Sequence, residues 1–345
     1  MNLVGLYVLA FGLSFLIAFL STPIAKKIAF KVGAIAQPRS RDMHEQPIPR
    51  MGGIAIFASF IFTLLILYKQ FEFLHSKQIL GIVIGGSLIV LLGFFDDICE
   101  LNSKFKMTIQ IIASIIVIRC GIRIDFIAIP FIEDLKFLSI FSIPVTILWI
   151  VGITNAVNLI DGLDGLAAGV SSIASICLMV LAIYSGHPIA VFLTVILTGA
   201  TLGFLPYNFN PASIFMGDTG STFLGFMLSI VSILGLLKTY TITAILVSVL
   251  VLGLPIFDTT FAIIRRLIAG KPIMSPDRGH LHHRLVDKGY SHKGAVVTLY
   301  GISGVFGLSG IGLLMHDTRI IAIVSVIVAI LIYFNIKNNK HRQID

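Results

Sequence analysis

Long apolar runs, each bounded by charged or turn-forming residues, recur along almost the whole 345-residue chain. A helix that crosses a bilayer needs about 20 predominantly apolar residues, and the runs approach or reach this length. Eleven spans are predicted, at residues 3–22, 52–68, 79–95, 107–122, 139–157, 165–185, 188–206, 219–237, 241–262, 294–314 and 319–336. Only 12% of the residues are charged, against roughly 25% in soluble domains, which excludes a water-soluble enzyme. The sequence therefore predicts an all-α, polytopic membrane protein with a single domain, residues 1–345.

The basic residues are distributed unevenly between the two sides of the predicted spans. Eighteen of the 25 Lys and Arg residues fall in loops on one side, and seven fall on the other. Because cytoplasmic loops carry the excess of Lys and Arg, the first side is expected in the cytoplasm. The N-terminus is then outside and the C-terminus is cytoplasmic. The same asymmetry accounts for the net charge of +8 without a nucleic-acid partner.

Two adjacent carboxylates, Asp96 and Asp97, end the third predicted span in the segment FFDDICELNSK. Two such charges repel each other and are costly to desolvate, so a cation should accompany them. Lys104 and Lys106 of the following loop would satisfy the acids as ordinary ion pairs. Alternatively, the carboxylates hold a hard metal cation and act as a base. Both interpretations stay open at this point.

A second group of oxygen-bearing side chains joins the fifth and sixth predicted spans in the segment NAVNLIDGLDGLAAG. Asn155, Asn158, Asp161 and Asp164 recur at every third residue, which on a helix would align them along one face. The glycines of the segment interrupt this pattern, so a helix end that turns into a loop is an equal alternative. So many polar groups beside a membrane favour a functional role over a simple turn.

A third polar cluster, YNFNPASIFMGDTGST, precedes the eighth predicted span and contains Asn208, Phe215 and Asp218. Asp218, followed by small residues, has the sequence context of a helix N-cap. The start of a helix also presents free backbone N–H groups to phosphate, so a cap and an anion site are compatible here. The chain has no GxxxxGK[ST] pattern, which argues against a P-loop nucleotide site.

The longest inner loop contains the sequence RGHLHHR, in which His280, His282 and His283 lie between Arg278 and Arg284. Zinc is disfavoured because no fourth ligand accompanies the histidines at a familiar spacing. A basic loop solvated at the membrane surface is the simplest alternative, but Arg and His are also suitable donors to phosphate oxygens. Together with the acids and amides of the other inner loops, this cluster indicates the handling of a diphosphate with Mg²⁺.

The order of these segments resembles the polyprenyl-phosphate N-acetylhexosamine-1-phosphate transferases, which are related to the phospho-MurNAc-pentapeptide transferases. The resemblance rests on HEQPIPRMGG, FFDDICELNSK, NAVNLIDGLDGLAAG, FMGDTGSTFLG and RRLIAGKPIMSPDRGHLHHR. It implies an enzyme that transfers N-acetylglucosamine 1-phosphate from UDP-GlcNAc to undecaprenyl phosphate and releases UMP. It also implies dependence on Mg²⁺, with Mn²⁺ as a candidate substitute.

The same resemblance implies a location and a pathway position. The enzyme would lie in the bacterial cytoplasmic membrane, in contact with membrane lipid, with its active site facing the cytoplasm. It would catalyse the first membrane step of a cell-envelope glycan such as teichoic acid or lipopolysaccharide O-antigen. A second copy of the chain, in a homodimer, is a further candidate partner.

By position, the motifs imply roles for the candidate residues. Metal binding is implied for Asp218 and Asn158. Catalysis is predicted for Asp96, Asp97, Asp161, Asp164, His282 and His283, with one of the first pair acting on the lipid phosphate. Substrate binding is predicted for Asn155, Asn208, Phe215, Arg50, Arg278, His280 and Arg284. The sequence HLHHR differs from the three consecutive histidines of the phospho-MurNAc-pentapeptide enzymes, which disfavours that donor.

The favoured mechanism is direct attack of the lipid phosphate on the β-phosphorus, with a path through a phosphorylated Asp as the alternative. Two other functions stay open from the sequence. One is a transferase of the same superfamily that uses another UDP-sugar. The other is a transporter of an anion or nucleotide sugar, which should bury charges near the bilayer midplane within broken helices. The acids of this chain cluster at inner helix ends, which favours the enzyme.

Overall fold

The computed structural model describes residues 2–36, 47–127, 136–137, 139–235, 242–272 and 279–324. Helices dominate these ranges: α1 (Leu3–Val32), α2 (Gly53–Ile66), α3 (Lys77–Cys99), α4 (Ser103–Arg119), α5 (Ser142–Leu159), α6 (Leu166–Tyr184), α7 (Pro188–Asn208), α8 (Gly217–Gly235), α9 (Ile242–Val251), α10 (Gly253–Ile268), α11 (Leu281–Asp287) and α12 (His292–Met315). Two antiparallel pairs of two-residue strands accompany them: β1 (Ile35–Ala36) with β2 (Ile48–Pro49), and β3 (Phe126–Ile127) with β4 (Lys136–Phe137). The predicted all-α class is confirmed.

Seven helices in the described ranges are long and apolar enough to cross a bilayer, or eight if α9 and α10 form one bent span. Two other predicted spans correspond to α2 and α4, which have 14 and 17 residues and are shorter than a typical span. Of the eleventh predicted span, the structure describes only residues 319–324, which are helical. The chain is an all-α, polytopic membrane protein.

The ninth predicted span, residues 241–262, is wrong as a single continuous helix. The chain forms α9 and α10 instead, which are bent by 83° relative to each other. The break at Leu252 precedes Pro255, and a proline ring clashes with the carbonyl group four residues earlier, which here belongs to Val251. The second helix also continues to Ile268, beyond the predicted end.

Helix α8 lies at the centre of the bundle, because every residue from Thr219 to Gly235 is buried. It packs against α2, α3, α5, α6 and α7. Close approach depends on glycine: a Cβ atom at Gly93 of α3 would lie 2.5 Å from the Cα atom of Thr219. A Cβ atom at Gly225 would likewise lie 2.7 Å from the Cα atom of Thr154 in α5. Small residues of this kind let membrane helices pack backbone to backbone.

Short connections bring three helix ends to the same end of this bundle. Helix α3 ends four residues before α4 begins, α5 ends shortly before α6, and α7 ends shortly before α8. The N-terminus of α2 also lies here, since the N–H groups of Gly52 and Gly53 donate to the carbonyl groups of Phe215 and Met216. The polar motifs of the sequence therefore lie next to one another although they are far apart along the chain.

Candidate active site

Asp97 joins the end of α3 to the start of α8. Its Oδ1 atom accepts a hydrogen bond of 2.9 Å from the backbone N–H of Asp218. Its Oδ2 atom accepts from the backbone N–H of Thr219, at 3.1 Å, and from the Thr219 hydroxyl group, at 2.6 Å. The N-cap expected from Asp218 is therefore supplied by a different helix, and Asp218 lies in the first helical turn instead. The buried carboxylate of Asp97 holds the helix that carries Asp218.

Asp96 and Asp218 share one cation. The Nζ atom of Lys106 lies 2.7 Å from Oδ2 of Asp96 and 3.1 Å from Oδ2 of Asp218. The other Asp96 oxygen accepts from the backbone N–H of Leu101, and the other Asp218 oxygen accepts from the Asn158 amide at 3.0 Å. Pairing with a nearby lysine, one of the two interpretations of the acid pair, therefore holds for Asp96, although Lys106 lies in α4 and not in a loop. It does not hold for Asp97, whose contacts are to α8.

The Asn and Asp quartet is divided between a helix and a turn. Helix α5 ends at Leu159, so Asn155 and Asn158 lie on the helix, whereas Asp161 and Asp164 lie in the turn before α6. Of the two alternatives, the helix end is confirmed. Asn155 faces α4 and donates a hydrogen bond of 2.7 Å to the side-chain oxygen of Gln110.

Asp164 ties this turn to two other segments. One carboxylate oxygen accepts from the Asn210 amide and from the backbone N–H of Ala212, at 3.1 and 3.0 Å. The backbone N–H of Asp164 donates to Nε2 of His292, at the start of α12. The side chain is only 3% exposed, so these contacts indicate that it supports the turn. A catalytic role for Asp164 stays a prediction.

Asn208 and Phe215 shape the neighbouring loop. The side chain of Asn208 is buried, accepts from the backbone N–H of Gly165 and donates to the carbonyl group of Ile214. The backbone N–H of Phe215 donates to the carbonyl group of Pro49, and Phe215 forms a β-bridge with Arg50. These contacts place two predicted substrate-binding residues, Phe215 and Arg50, beside the start of α8.

Among the acids of this site, Asp161 has the weakest support for its ionised form. Its side chain is half-buried, and no side chain or backbone N–H in the described part of the chain donates a hydrogen bond to it. Burial raises the pKa of Asp161 to about 8, and the negative charges of Asp218, Asp97 and Asp164 add to this rise. Such clustered carboxylates call for a further cation.

The histidine loop contacts this same turn. His282 is 3% exposed, and its Nε2 atom would lie 2.3 Å from a Cβ atom built on Gly162. Burial and the neighbouring charge of His283 lower the pKa of His282 to about 4, so its ring is neutral at neutral pH. His283 and Arg284 are exposed, whereas the predicted residue Arg278 lies outside the described residues.

The sequence interpretation missed Asp258, which lies in α10 within the apolar stretch LPIFDTTF. Its Oδ2 atom lies 2.8 Å from Nδ1 of His280, and its Oδ1 atom accepts from the backbone N–H of Leu281 at 2.8 Å. An acid inside a predicted span is a signal of function in its own right, because an isolated charge there is costly. That signal was present in the sequence.

The donor set fits a hard divalent cation. Within the described ranges, no three His, Cys, Asp or Glu side chains form a complete metal site by themselves. Mg²⁺, however, usually takes one or two protein carboxylates and completes its shell with water and phosphate oxygens. Asp218, Asp161 and the amide oxygen of Asn158 are donors of this kind, and the raised pKa of Asp161 points the same way, because a bound cation would stabilise its ionised form. The residues present therefore fit a cation that binds together with a phosphate.

Replacing Asp97 by Asn should destabilise the protein, because the amide NH₂ group would face N–H and O–H donors at the start of α8. Hydrogen bonds to a charged group are worth about 1.5–3 kcal/mol, so we expect a loss of this size in the free energy of unfolding. Thermal unfolding of the purified protein in detergent measures it. The control is Asp125→Asn, which removes a partly exposed pair with Arg123 and should change stability by less than about 1 kcal/mol. Equal midpoints for the two variants would contradict the capping role.

Comparison with known proteins supports a transferase. Residues 79–236 match the family model described as Glycosyl transferase family 4. The chain is 44% identical over 306 residues to the probable undecaprenyl-phosphate N-acetylglucosaminyl 1-phosphate transferase of Bacillus subtilis (strain 168), with 88% of this chain and 84% of the relative covered.

Two relatives from other bacteria extend this similarity. The decaprenyl-phosphate N-acetylglucosaminephosphotransferase of Mycolicibacterium smegmatis is 34% identical over 352 residues, with 92% of this chain and 85% of the relative covered. The undecaprenyl-phosphate alpha-N-acetylglucosaminyl 1-phosphate transferase of Yersinia pestis is 27% identical over 316 residues, with 89% and 82% covered. The chain therefore belongs to the polyprenyl-phosphate N-acetylglucosamine-1-phosphate transferase family.

Proposed function

We propose that the protein transfers N-acetylglucosamine 1-phosphate from UDP-GlcNAc to undecaprenyl phosphate and releases UMP. The activities for which the similar transferases are named support the reaction. The observation that carries the proposal is the convergence of Asp96, Asn158, Asp161, Asp218 and His282, from distant parts of the chain, at one end of the bundle. The lipid phosphate and the donor diphosphate have to meet in this reaction. Such a site offers both ligands for a cation and hydrogen-bond donors to phosphate oxygens.

Asp218 and Asp161, with Asn158, would hold Mg²⁺. When bound, the ion supplies positive charge that neutralises the donor diphosphate and the charge developing in transfer. Asp97 keeps Asp218 in place through the start of α8. Lys106, which bridges Asp96 and Asp218, adds a positive charge beside the same carboxylates.

The residues of the chain mainly align the two substrates. A phosphate monoester has a second pKa near 6, so the lipid phosphate is already largely ionised at neutral pH and needs no strong base. Direct attack on the β-phosphorus therefore requires positioning and charge neutralisation above all. The neutral ring of His282 lies against the turn that carries Asp161, where it can hydrogen-bond to a phosphate oxygen.

The proposed topology has eleven spans, an external N-terminus and a cytoplasmic C-terminus. The excess of Lys and Arg supports this orientation, because Lys104, Lys106 and Lys293 all lie in or beside connections at the site end. The active site would then face the cytoplasm of a bacterial inner membrane, where a UDP-sugar is available. The reaction fits the first membrane step in the synthesis of a cell-envelope glycan.

A homodimer is a separate proposal, which the mass of the purified particle in detergent would test.

A reconstitution assay tests the function. Purified protein with UDP-GlcNAc, undecaprenyl phosphate and Mg²⁺ should form UMP and a lipid-linked diphosphate sugar in equal amounts. Chelation by EDTA should lower the rate to background, and added Mg²⁺ or Mn²⁺ should restore it. UDP-GalNAc and UDP-MurNAc-pentapeptide serve as comparison donors under the same conditions.

The outcomes separate the candidate functions. A faster reaction with another donor would assign a different sugar to the same enzyme class. Uptake of UDP-GlcNAc into vesicles without UMP release would indicate a transporter. Undiminished UMP release in excess EDTA would refute the proposed cation while leaving the transfer reaction in place.

A further inference from the structure

Asp258 makes two contacts that fix the start of the histidine loop. Both of its carboxylate oxygens are used, one by the backbone N–H of Leu281 and the other by Nδ1 of His280. The side chains of Asp258 and His280 are 5% and 7% exposed, so water competes little for these contacts. Since a carboxylate can only accept, Nδ1 of His280 carries the proton in this pair. The other ring nitrogen, Nε2, is then the one left for a ligand.

A short chain of contacts connects this pair with the candidate active site. The ring of His280 stacks on the ring of His282, with centroids 5.8 Å apart and an interplanar angle of 10°. His282 in turn lies against Gly162, the neighbour of Asp161. The orientation of His280 therefore limits where His282 can lie relative to the carboxylates.

Helix α10 is suited to hold an acid in this place. Phe261, Ile264 and Ile268 form its apolar, exposed side, whereas Asp258 lies on the buried side together with Ala262 and Arg266. The 83° bend before α10 turns this helix away from the direction of α9 and lets it contact α5 and α12. Asp258 is thereby held on a rigid element beside the loop.

We propose that Asp258 is a positioning residue for the transfer reaction, which fixes the Nδ1–H form of His280 and pins the first turn of α11 so that His282 stays against the turn that carries Asp161. The proposal rests on the proposed function. It assigns to α10 a role in the chemistry and not only in the packing of the membrane domain. Acids that orient histidines elsewhere act in the same manner, by selecting the tautomer and holding the ring.

Asp258→Asn tests the tautomer step. Asn can still accept from Leu281, but its NH₂ group faces Nδ1 of His280 and forces that atom to become an acceptor. The value of kcat for UMP release should fall about 10- to 100-fold, as for other residues that orient a functional histidine, while KM for UDP-GlcNAc changes less than about two-fold. Thr260→Val, at an exposed position on the same helix, is the matched control and should retain wild-type kcat.

The double variant Asp258→Asn with His280→Gln decides whether the acid acts through the histidine. If it does, the Asn substitution should cost little further activity once His280 is replaced. The proposal would be overturned if the losses of the two single variants multiplied in the double variant. A rise in KM with unchanged kcat in Asp258→Asn, or full activity of His280→Gln, would overturn it as well. If Asp258→Asn does not fold, His280→Gln alone gives the test, with the same expected fall in kcat.

These results can be told apart from a failure of the proposed function. A wild-type protein that releases no UMP would refute the transfer reaction and this inference together. An active wild type with an equally active Asp258→Asn variant would overturn the positioning role alone.

Discussion

Replacing Asp218 by Asn should lower kcat for UMP release about 1,000-fold, while the protein stays folded. Asp218 is the residue at which the contacts of the site meet: it accepts from Asn158 and Lys106, and its backbone N–H donates to Asp97. Removal of one electrostatic group that acts on developing charge costs about 100- to 1,000-fold, and loss of the cation would add to this. The measurement is single-turnover UMP release by purified protein at saturating substrate.

Two comparisons make this result specific. The backbone contact between Asp218 and Asp97 does not involve the substituted carboxylate, so thermal unfolding should change far less than activity. The Asp125→Asn variant loses a partly exposed ion pair with Arg123, which makes none of the described contacts of the site, so it should keep wild-type activity. An Asp218→Asn protein that retains a tenth or more of the wild-type kcat would mean that the cation is held elsewhere.

The positions of the polar motifs were predictable because each follows from a local property of the sequence. Apolar runs predict the helices, and the polar segments between them had to lie at helix ends. The glycines after Asp161 indicated a helix end as one of two equal alternatives, and the structure confirms it, because α5 ends at Leu159. Alternating direction of successive spans then brings the motifs around Asp96, Asp161 and Asp218 to one end of the bundle.

The pairings between the motifs were not predictable, since they depend on helix rotation and packing. The sequence of α8 contains an acid in the right place for its own cap, yet the cap comes from Asp97, 121 residues away along the chain. Lys106 was recognised as a partner for the acid pair, but its bridge to Asp218 requires the relative placement of α4 and α8. Such contacts are decided by tertiary structure and not by local pattern.

The bend before α10 was predictable only in part. Pro255 was visible in the sequence and predicts a helix break, but hydropathy alone runs smoothly across it. The consequence of the bend, an acid that reaches the histidine loop, needed the three-dimensional arrangement. Asp258 therefore could be suspected from its place in an apolar run, whereas its partner could not.

Replacing Gly162 by Ala should lower kcat about 100-fold and should cost at most about 1–3 kcal/mol of stability, the usual cost of overpacking a buried site. A Cβ atom at this position would lie 2.3 Å from Nε2, 2.8 Å from Cε1 and 3.0 Å from Cδ2 of His282, so the buried ring must move. Gly162 does not have a positive φ angle, so its backbone conformation is not one that requires glycine. The effect should therefore come from the displaced ring alone, and a displacement of about 1 Å at a reacting centre can cost about 100-fold in rate.

The matched control is Gly152→Ala in α5, where a Cβ atom would meet nothing within 4 Å and where alanine favours the helix. It should keep wild-type kcat and unfold at the wild-type midpoint or slightly above it, because alanine stabilises a helix relative to glycine. The decisive measurement repeats Gly162→Ala in a His282→Ala background, in which the methyl group has no ring to displace. If the position of His282 is what Gly162 protects, the substitution should cost almost nothing there, because two changes that act through one contact are not additive. An undiminished 100-fold loss in that background would show that the turn itself, and not the histidine packed on it, requires glycine.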